Sequence, residues 1–518
     1  MRPARYKTGP LRLFVGMIAL LLLAPMAVVL TAPWHTPAPE WDYVRGTILP
    51  DHLLETGRLL LFTALAALTF GTTSAWLVAS AHFPGHRLFR WALMLPLALP
   101  TYIGAITFAG LLGPTGSITV PLRAAIGIDL DIMTPDGLAL IFGLLLYPYV
   151  YLPSRAAFSG GMVDVVEASR LLGAGRWRRA VQVAIPLARP AIGGGALLVA
   201  METLNDYGAV KHFGVHTLTA GIFRSWGGLY DTGSALRLSA VLLLIALVLA
   251  IGERRLAARA PRTVQGRRYG PSRLTGWRAW AATAWCTVLL GVAFALPVGA
   301  LLRDAFSHAH TTAWRELGPP VWNTLKLAGS STLLTLGVAL LFAYAQRNGR
   351  VPLTRLAAVG YVVPGAVIAI GVMGLAGRLS SSTSWVVIGT LPLVVYAFTV
   401  RFLAMATNPV QAGMAQQSRS LDEAARLLGA SRLRTFLHVN LPLLRPSILA
   451  AAAITLIEVI KELPLTLILR PFGMETLSTH VFYMARIEQW GDAAVPALLI
   501  VAVGLVPVFL LERWMART

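Results

Sequence analysis

Two apolar stretches carry ionisable residues at matching places. METLNDYGAV holds Glu202, Asn205 and Asp206, and IEVIKELPLT holds Glu458, Lys461 and Glu462. Spacings of three and four put each trio on one face of a helix. Charges inside a membrane span are costly, so such residues are candidates for a pathway along which a polar solute crosses. Carboxylates would suit a hard cation, which favours oxygen ligands, and they would equally receive a cationic organic solute. The same groups could instead form structural ion pairs, such as Lys461 with Glu458 or Glu462, or sit near the outer headgroups, already wet. No ligand spacing among the ten His identifies a metal site.

A second pattern is a duplication. Residues 167–190 read EASRLLGAGRWRRAVQVAIPLARP and residues 423–446 read EAARLLGASRLRTFLHVNLPLLRP, with fourteen of 24 positions identical. The constant offset of 256 also pairs Glu202 with Glu458 and Asp164 with Ser420. Asp164 to Glu167 and Ser420 to Glu423 have capping-box spacing, an acceptor three residues before a Glu. A short helix should follow, through Ala168 or Ala424, and stop at Gly173 or Gly429, where a left-handed residue is needed before Ala174 or Ala430. A second short helix then runs to Pro186 or Pro442. Each copy is therefore expected as a helix–turn–helix at the membrane surface, with Arg170 and Arg426 exposed. Leu171, Leu172, Leu427 and Leu428 are available to be buried. An ordinary loop packed on its own spans would not need to be duplicated in this form, so two equivalent docking partners explain it better.

The elements that must position these residues are membrane helices. Of 518 residues, 56% are hydrophobic and 13% charged, against ~25% charged in a soluble protein. These figures exclude a disordered chain, a disulfide scaffold and an ordinary cytosolic enzyme. Continuous apolar runs of about twenty residues fall at 11–32, 58–80, 91–112, 137–158, 190–211 and 236–252. A second set falls at 279–302, 323–345, 356–376, 385–406, 447–468 and 494–511. The expected fold is an all-α polytopic membrane protein of about 12 transmembrane helices, arranged as two parallel six-helix repeats. The first domain covers 1–252 with its loop at 164–190, an Arg-rich linker covers 253–278, and the second domain covers 279–518 with its loop at 420–446.

The formal charge of +21 comes almost wholly from Arg, with Lys only at Lys7, Lys211, Lys326 and Lys461. The basic residues lie mainly between apolar runs, which is positive-inside topology and not a nucleic-acid surface. Arg2, Arg5, Lys7 and Arg12, the loop after the fourth span and the eight Arg of 254–278 place both termini in the cytoplasm. Residues 1–32 are read as a retained first helix, since the apolar run exceeds a signal core of about 7–15 residues. The lone Cys286 forms no intrachain disulfide.

The segment Glu423-Ala424-Ala425 with Gly429 resembles the EAA signature of ABC importer permeases, and the first copy departs from it at Ser169. The resemblance implies two permease domains fused in one chain, whose loops hold coupling helices for two copies of an ATP-binding subunit. The segments after the fifth and eleventh spans are similar to the fused permeases of ferric-iron importers, a branch with relatives for thiamine and phosphonates. That resemblance implies Fe(III) as cargo, a periplasmic or lipid-anchored binding protein as partner, and the bacterial inner membrane as location. The rest of the sequence agrees with a transport subunit and not an enzyme. It holds no G-x-x-x-x-G-K-[ST], H-E-x-x-H or G-x-S-x-G, so no cofactor is expected in this chain, and ATP with Mg would sit on the partner subunit. An ion-gradient-driven secondary transporter is the rival, favoured by the carboxylates but with no need for duplicated surface loops.

Overall fold

The computed structural model describes residues 9–127, 129, 131–160, 169, 171–173, 175–259, 272–308, 314–349, 354, 357–382 and 386–517. Among the described residues the chain is helical, with one short parallel pairing of Ala81–His82 and Ser272–Arg273. Nine helices there are long and apolar enough to cross a bilayer. Three further pairs are bent: His86–Ala98 with Thr101–Leu112 by 91°, Pro135–Leu146 with Pro148–Ser159 by 44°, and Arg432–Leu443 with Arg445–Lys461 by 73°. Counting each bent pair as one span gives up to 12, and every one overlaps a run expected from the sequence. The all-α polytopic fold stands.

Proline placement shapes the spans. Proline lacks an N–H, and its ring collides with the carbonyl four residues back. The turns Val44–Ile48, Ala180–Ala184, Gly291–Ala295 and Phe436–Asn440 are π turns. Each is followed two residues later by a proline: Pro50, Pro186, Pro297 and Pro442. The wider π turn bonds each N–H one residue further back, so the chain passes the proline without breaking. This corrects the expectation that the second loop helices end at Pro186 and Pro442. The first continues unbroken through Ile185–Asn205, and the second bends only at Leu444, past Leu441–Leu443.

Two compact units cut across the sequence halves. One comprises Met1–Glu40, Ser225–Leu243 and Trp314–Thr479; the other comprises Trp41–Arg224, Leu244–Ala313 and His480–Thr518. In the first unit, Leu11–His35 packs on Gly365–Ser382. A side chain at Gly371 would come within 2.6 Å of the Pro25 carbonyl oxygen. In the second unit, Leu49–Ser80 packs on Pro135–Leu146 and Pro148–Gly160, and Gly71 lies as close to the Tyr147 carbonyl, 2.8 Å from a built Cβ. Small residues of this kind let membrane helices approach where no hydrophobic force draws them together.

The repeat is visible in one shared hydrogen bond. Thr56 Oγ1 accepts from the Leu218 N–H at 2.9 Å, and Thr324 Oγ1 accepts from the Leu477 N–H at 2.8 Å. Each hydroxyl also donates to the carbonyl four residues back in its own helix. Each unit thus fixes the short segment after its fifth or eleventh span to its second or eighth.

Candidate functional site

The second repeated loop is a helix–turn–helix. Its first helix is Arg419–Leu427. Ser418 caps it with extended backbone, its Oγ accepting from the Ser420 N–H at 3.2 Å. The expected box from Ser420 to Glu423 does not form, because Ser420 is already inside the helix. Gly429 has φ +84°, as expected. Its N–H bonds the Arg426 carbonyl at 2.9 Å and the Ala430 N–H bonds the Ala425 carbonyl at 3.0 Å. That pair of bonds is a Schellman stop, which satisfies the last carbonyls of the helix. Ser431 then caps Arg432–Thr435, and the chain runs on through Pro442. Glu423 and Ala424 are exposed, and Leu427 and Leu428 are each 89% exposed. Among the described residues nothing encloses them.

Asp422, one residue before the signature Glu, anchors the loop. Its side chain is 10% exposed, beside Arg347 at 9%. Arg347 Nε donates to Asp422 Oδ2 at 2.7 Å, and its Nη atoms donate to the carbonyls of Met414, Gln417 and Ser418 at 3.1 Å. Asn440 Nδ2 donates to Asp422 Oδ1 at 2.9 Å and to Gln417 Oε1 at 3.0 Å. One guanidinium therefore closes the end of the Leu391–Gln416 helix and holds the start of the next. Burial pushes the Asp422 carboxyl up, but the bonds from Arg347 and Asn440 outweigh it and hold the group below the usual Asp value. Sequence reasoning missed this clamp. Its one signal was that Asp422 and Asn440 break the repeat, facing Val166 and Ala184 at the offset of 256.

In the first loop, Asp164, Glu167, Ala168, Arg170 and Ala174 lie outside the described residues. Gly173 has φ +80°, again the left-handed stop. Leu171 and Leu172 are 89% and 88% exposed. Pro186 sits in the first turn of Ile185–Asn205.

The intramembrane trios divide by role. The fifth span ends at Asn205 and the helix before Glu462 ends at Lys461, earlier than expected. Asp206 and Glu462 then turn to extended backbone, so neither shares a helical face with the residues before it. Both are buried, and both bind the backbone of the short helix that follows. Asp206 Oδ1 accepts from the Ala209 N–H at 2.8 Å, while Thr101 donates to Oδ2. The Glu462 carboxylate accepts from the N–H groups of Leu465 and Thr466 at 3.0–3.2 Å. Arg401, absent from the sequence reading, faces Glu462 as a buried ion pair at 3.9 Å. A side chain at Gly365 would strike both partners. Glu202, Asn205, Glu458 and Lys461 stay half-buried on the preceding helix turns. No cluster of three His, Cys, Asp or Glu is placed to hold a metal ion among the described residues.

The geometry is that of a membrane-embedded scaffold with surface loops. The family model for binding-protein-dependent transport system inner membrane components matches the chain twice, over residues 67–261 and 334–518. The chain belongs to that family. It is a fused two-domain permease of the inner membrane. It is similar to a Fe(3+)-transport system permease protein of Haemophilus influenzae, 26% identical over 97% of this chain and 98% of that one. A molybdenum transport system permease protein of Escherichia coli K12 is 31% identical over 34% of this permease and 72% of its own length. A putative 2-aminoethylphosphonate transport system permease protein of Salmonella typhimurium is 29% identical over 42% and 81%.

Proposed function

We propose that this permease is the membrane subunit of an ATP-driven importer for Fe(III). In this reading a periplasmic or lipid-anchored binding protein delivers the cargo, and two copies of an ATP-binding subunit dock at loops 164–190 and 420–446. Both termini and both loops are cytoplasmic, and ATP with Mg is held by the partner. The observation that carries the reading is the duplicated surface loop with a leucine pair exposed in each copy. Paired apolar side chains left outside a chain mark a surface that another protein covers. Iron is supported by the near full-length likeness to the Fe(3+)-transport permease and by carboxylates whose oxygens suit a hard cation. Asp206 and Glu462 cap the short helices that follow them, and Glu202 and Glu458, a turn earlier and half-buried, are the residues proposed to face the cargo. Asn205 and Lys461 lie beside them.

An oxyanion is the second reading, favoured by the likeness of a third of the chain to the molybdenum permease. ATP hydrolysis by the permease reconstituted in lipid with its ATP-binding subunit tests both. Stimulation by an Fe(III)-loaded binding protein, and not by the empty one, is expected. Stimulation by a molybdate- or phosphonate-loaded protein alone would replace iron and keep the machine. If no ATPase associates, the coupling-loop reading fails.

A further inference from the structure

The unit comprising 41–224, 244–313 and 480–518 contains a cavity of about 800 Å³ beside the root of the first coupling loop. Trp76, Trp277 and Trp285 line it, together with Ala180 and the two cations Arg179 and Arg278. Trp285 donates its Nε1–H to Ser74 at 3.1 Å, so the polar edge of the ring is held by protein. Arg278 stacks over Trp277, 5.7 Å from the ring centre. Arg179 is buried, 8% exposed. The walls are aromatic and apolar, and the charge on them is positive.

The other repeat shows why the space is open. The offset of 256 pairs Ala180 with Phe436 and Arg179 with Thr435. Trp76 follows Thr56 by as many residues as Tyr344 follows Thr324, along equivalent helices. In that repeat Phe436 is buried against Tyr344, ring centres 5.0 Å apart. A methyl group takes the place of the phenyl ring in the first repeat, and an arginine takes the place of a threonine. The ring that fills this position in the second repeat is thus missing beside Ala180 in the first, which leaves room there.

We propose that this cavity is a binding site for one anionic phospholipid of the inner leaflet, with its phosphate at Arg179 and Arg278 and its acyl chain against the tryptophans. Tryptophan gathers at the headgroup level of a bilayer. Basic pockets between membrane helices on the cytoplasmic side take anionic headgroups. The inner-leaflet placement rests on the proposed cytoplasmic side of the loops, but occupancy of the cavity does not.

Native mass spectrometry of the purified full chain, titrated with phosphatidylglycerol or phosphatidylethanolamine of matched chains, reads the site directly. One phosphatidylglycerol should bind before the rest, and Arg278→Gln should weaken that first binding about fivefold, the weight of one arginine at an anionic surface. Ala180→Phe should abolish the first site. Where that variant loses its thermal transition, the double variant Arg179→Gln, Arg278→Gln takes its place and should erase the preference for the anionic lipid. Unchanged first-site occupancy in the folded variants, or equal binding of both lipids by the native chain, overturns the proposal. Neither result depends on transport, so failure of the lipid site leaves the importer reading intact.

Discussion

Asp422 shows how much one carboxylate can decide. It is nearly enclosed, and both oxygens are engaged, one by Arg347 and one by Asn440. Removing one partner of a buried pair strands the other charge and costs about 3–5 kcal/mol. Arg347 keeps three carbonyl partners, so Asp422→Ala belongs at the lower end, about 3 kcal/mol. The double variant Arg347→Met, Asp422→Leu leaves no buried charge but also leaves the carbonyls of Met414, Gln417 and Ser418 without their donor, so it should recover only part of that loss. Thermal unfolding in detergent of the native chain, Arg347→Met, Asp422→Leu and the double variant makes the cycle, and purely additive losses would show that the pair is not coupled. The sign of the pH dependence follows from the lowered titration of Asp422. Its stabilisation is present above the ordinary Asp value of about 3.9 and is lost as pH falls through the lower value in the folded chain. The advantage of the native chain over Asp422→Asn should therefore be level from pH 8 to 5 and shrink only in strong acid.

At the scale of elements, what could be read from sequence depended on whether a residue's partners were near it in the chain. The Gly173 and Gly429 stops were legible because a helix end is a local matter, as were the twelve apolar runs. Arg347 and Asp422 are 75 residues apart and Thr101 and Asp206 are 105 apart. No spacing rule connects them. The span ends were misplaced because apolar residues continue past Asn205 and Lys461, while the backbone breaks there and a carboxylate caps the next short helix. That break separates two kinds of acid and gives a split test. Asp206→Ala leaves the buried Ala209 N–H without its acceptor and should cost about 1–3 kcal/mol, lowering the melting temperature. Glu202→Gln keeps the shape of a half-buried side chain and should leave melting nearly unchanged while reducing cargo-stimulated ATP turnover. Loss of stability in both, with turnover per folded molecule preserved, would make Glu202 structural as well.

The whole molecule carries the same loop twice but holds the two copies differently. The second is tied to its unit by Asp422, Asn440 and Gln417, whereas the first has Val166 and Ala184 where Asp422 and Asn440 stand, and neither can donate or accept through its side chain. Yet both present two leucines that are nearly fully exposed. If each pair seats one ATP-binding subunit, the two contacts are separate and each can be removed alone. Leu427→Glu with Leu428→Glu places two charges in an interface that buries apolar surface, and the desolvation they demand should prevent docking there. These side chains are almost fully exposed, so folding and membrane insertion should be little affected. The mass of the purified complex should fall by one ATP-binding subunit, and the equivalent change at Leu171 and Leu172 should remove the other. A complex that keeps both subunits after either change would show that the leucines are not the docking surface. Loss of both subunits from a single change would show that the two loops act as one site.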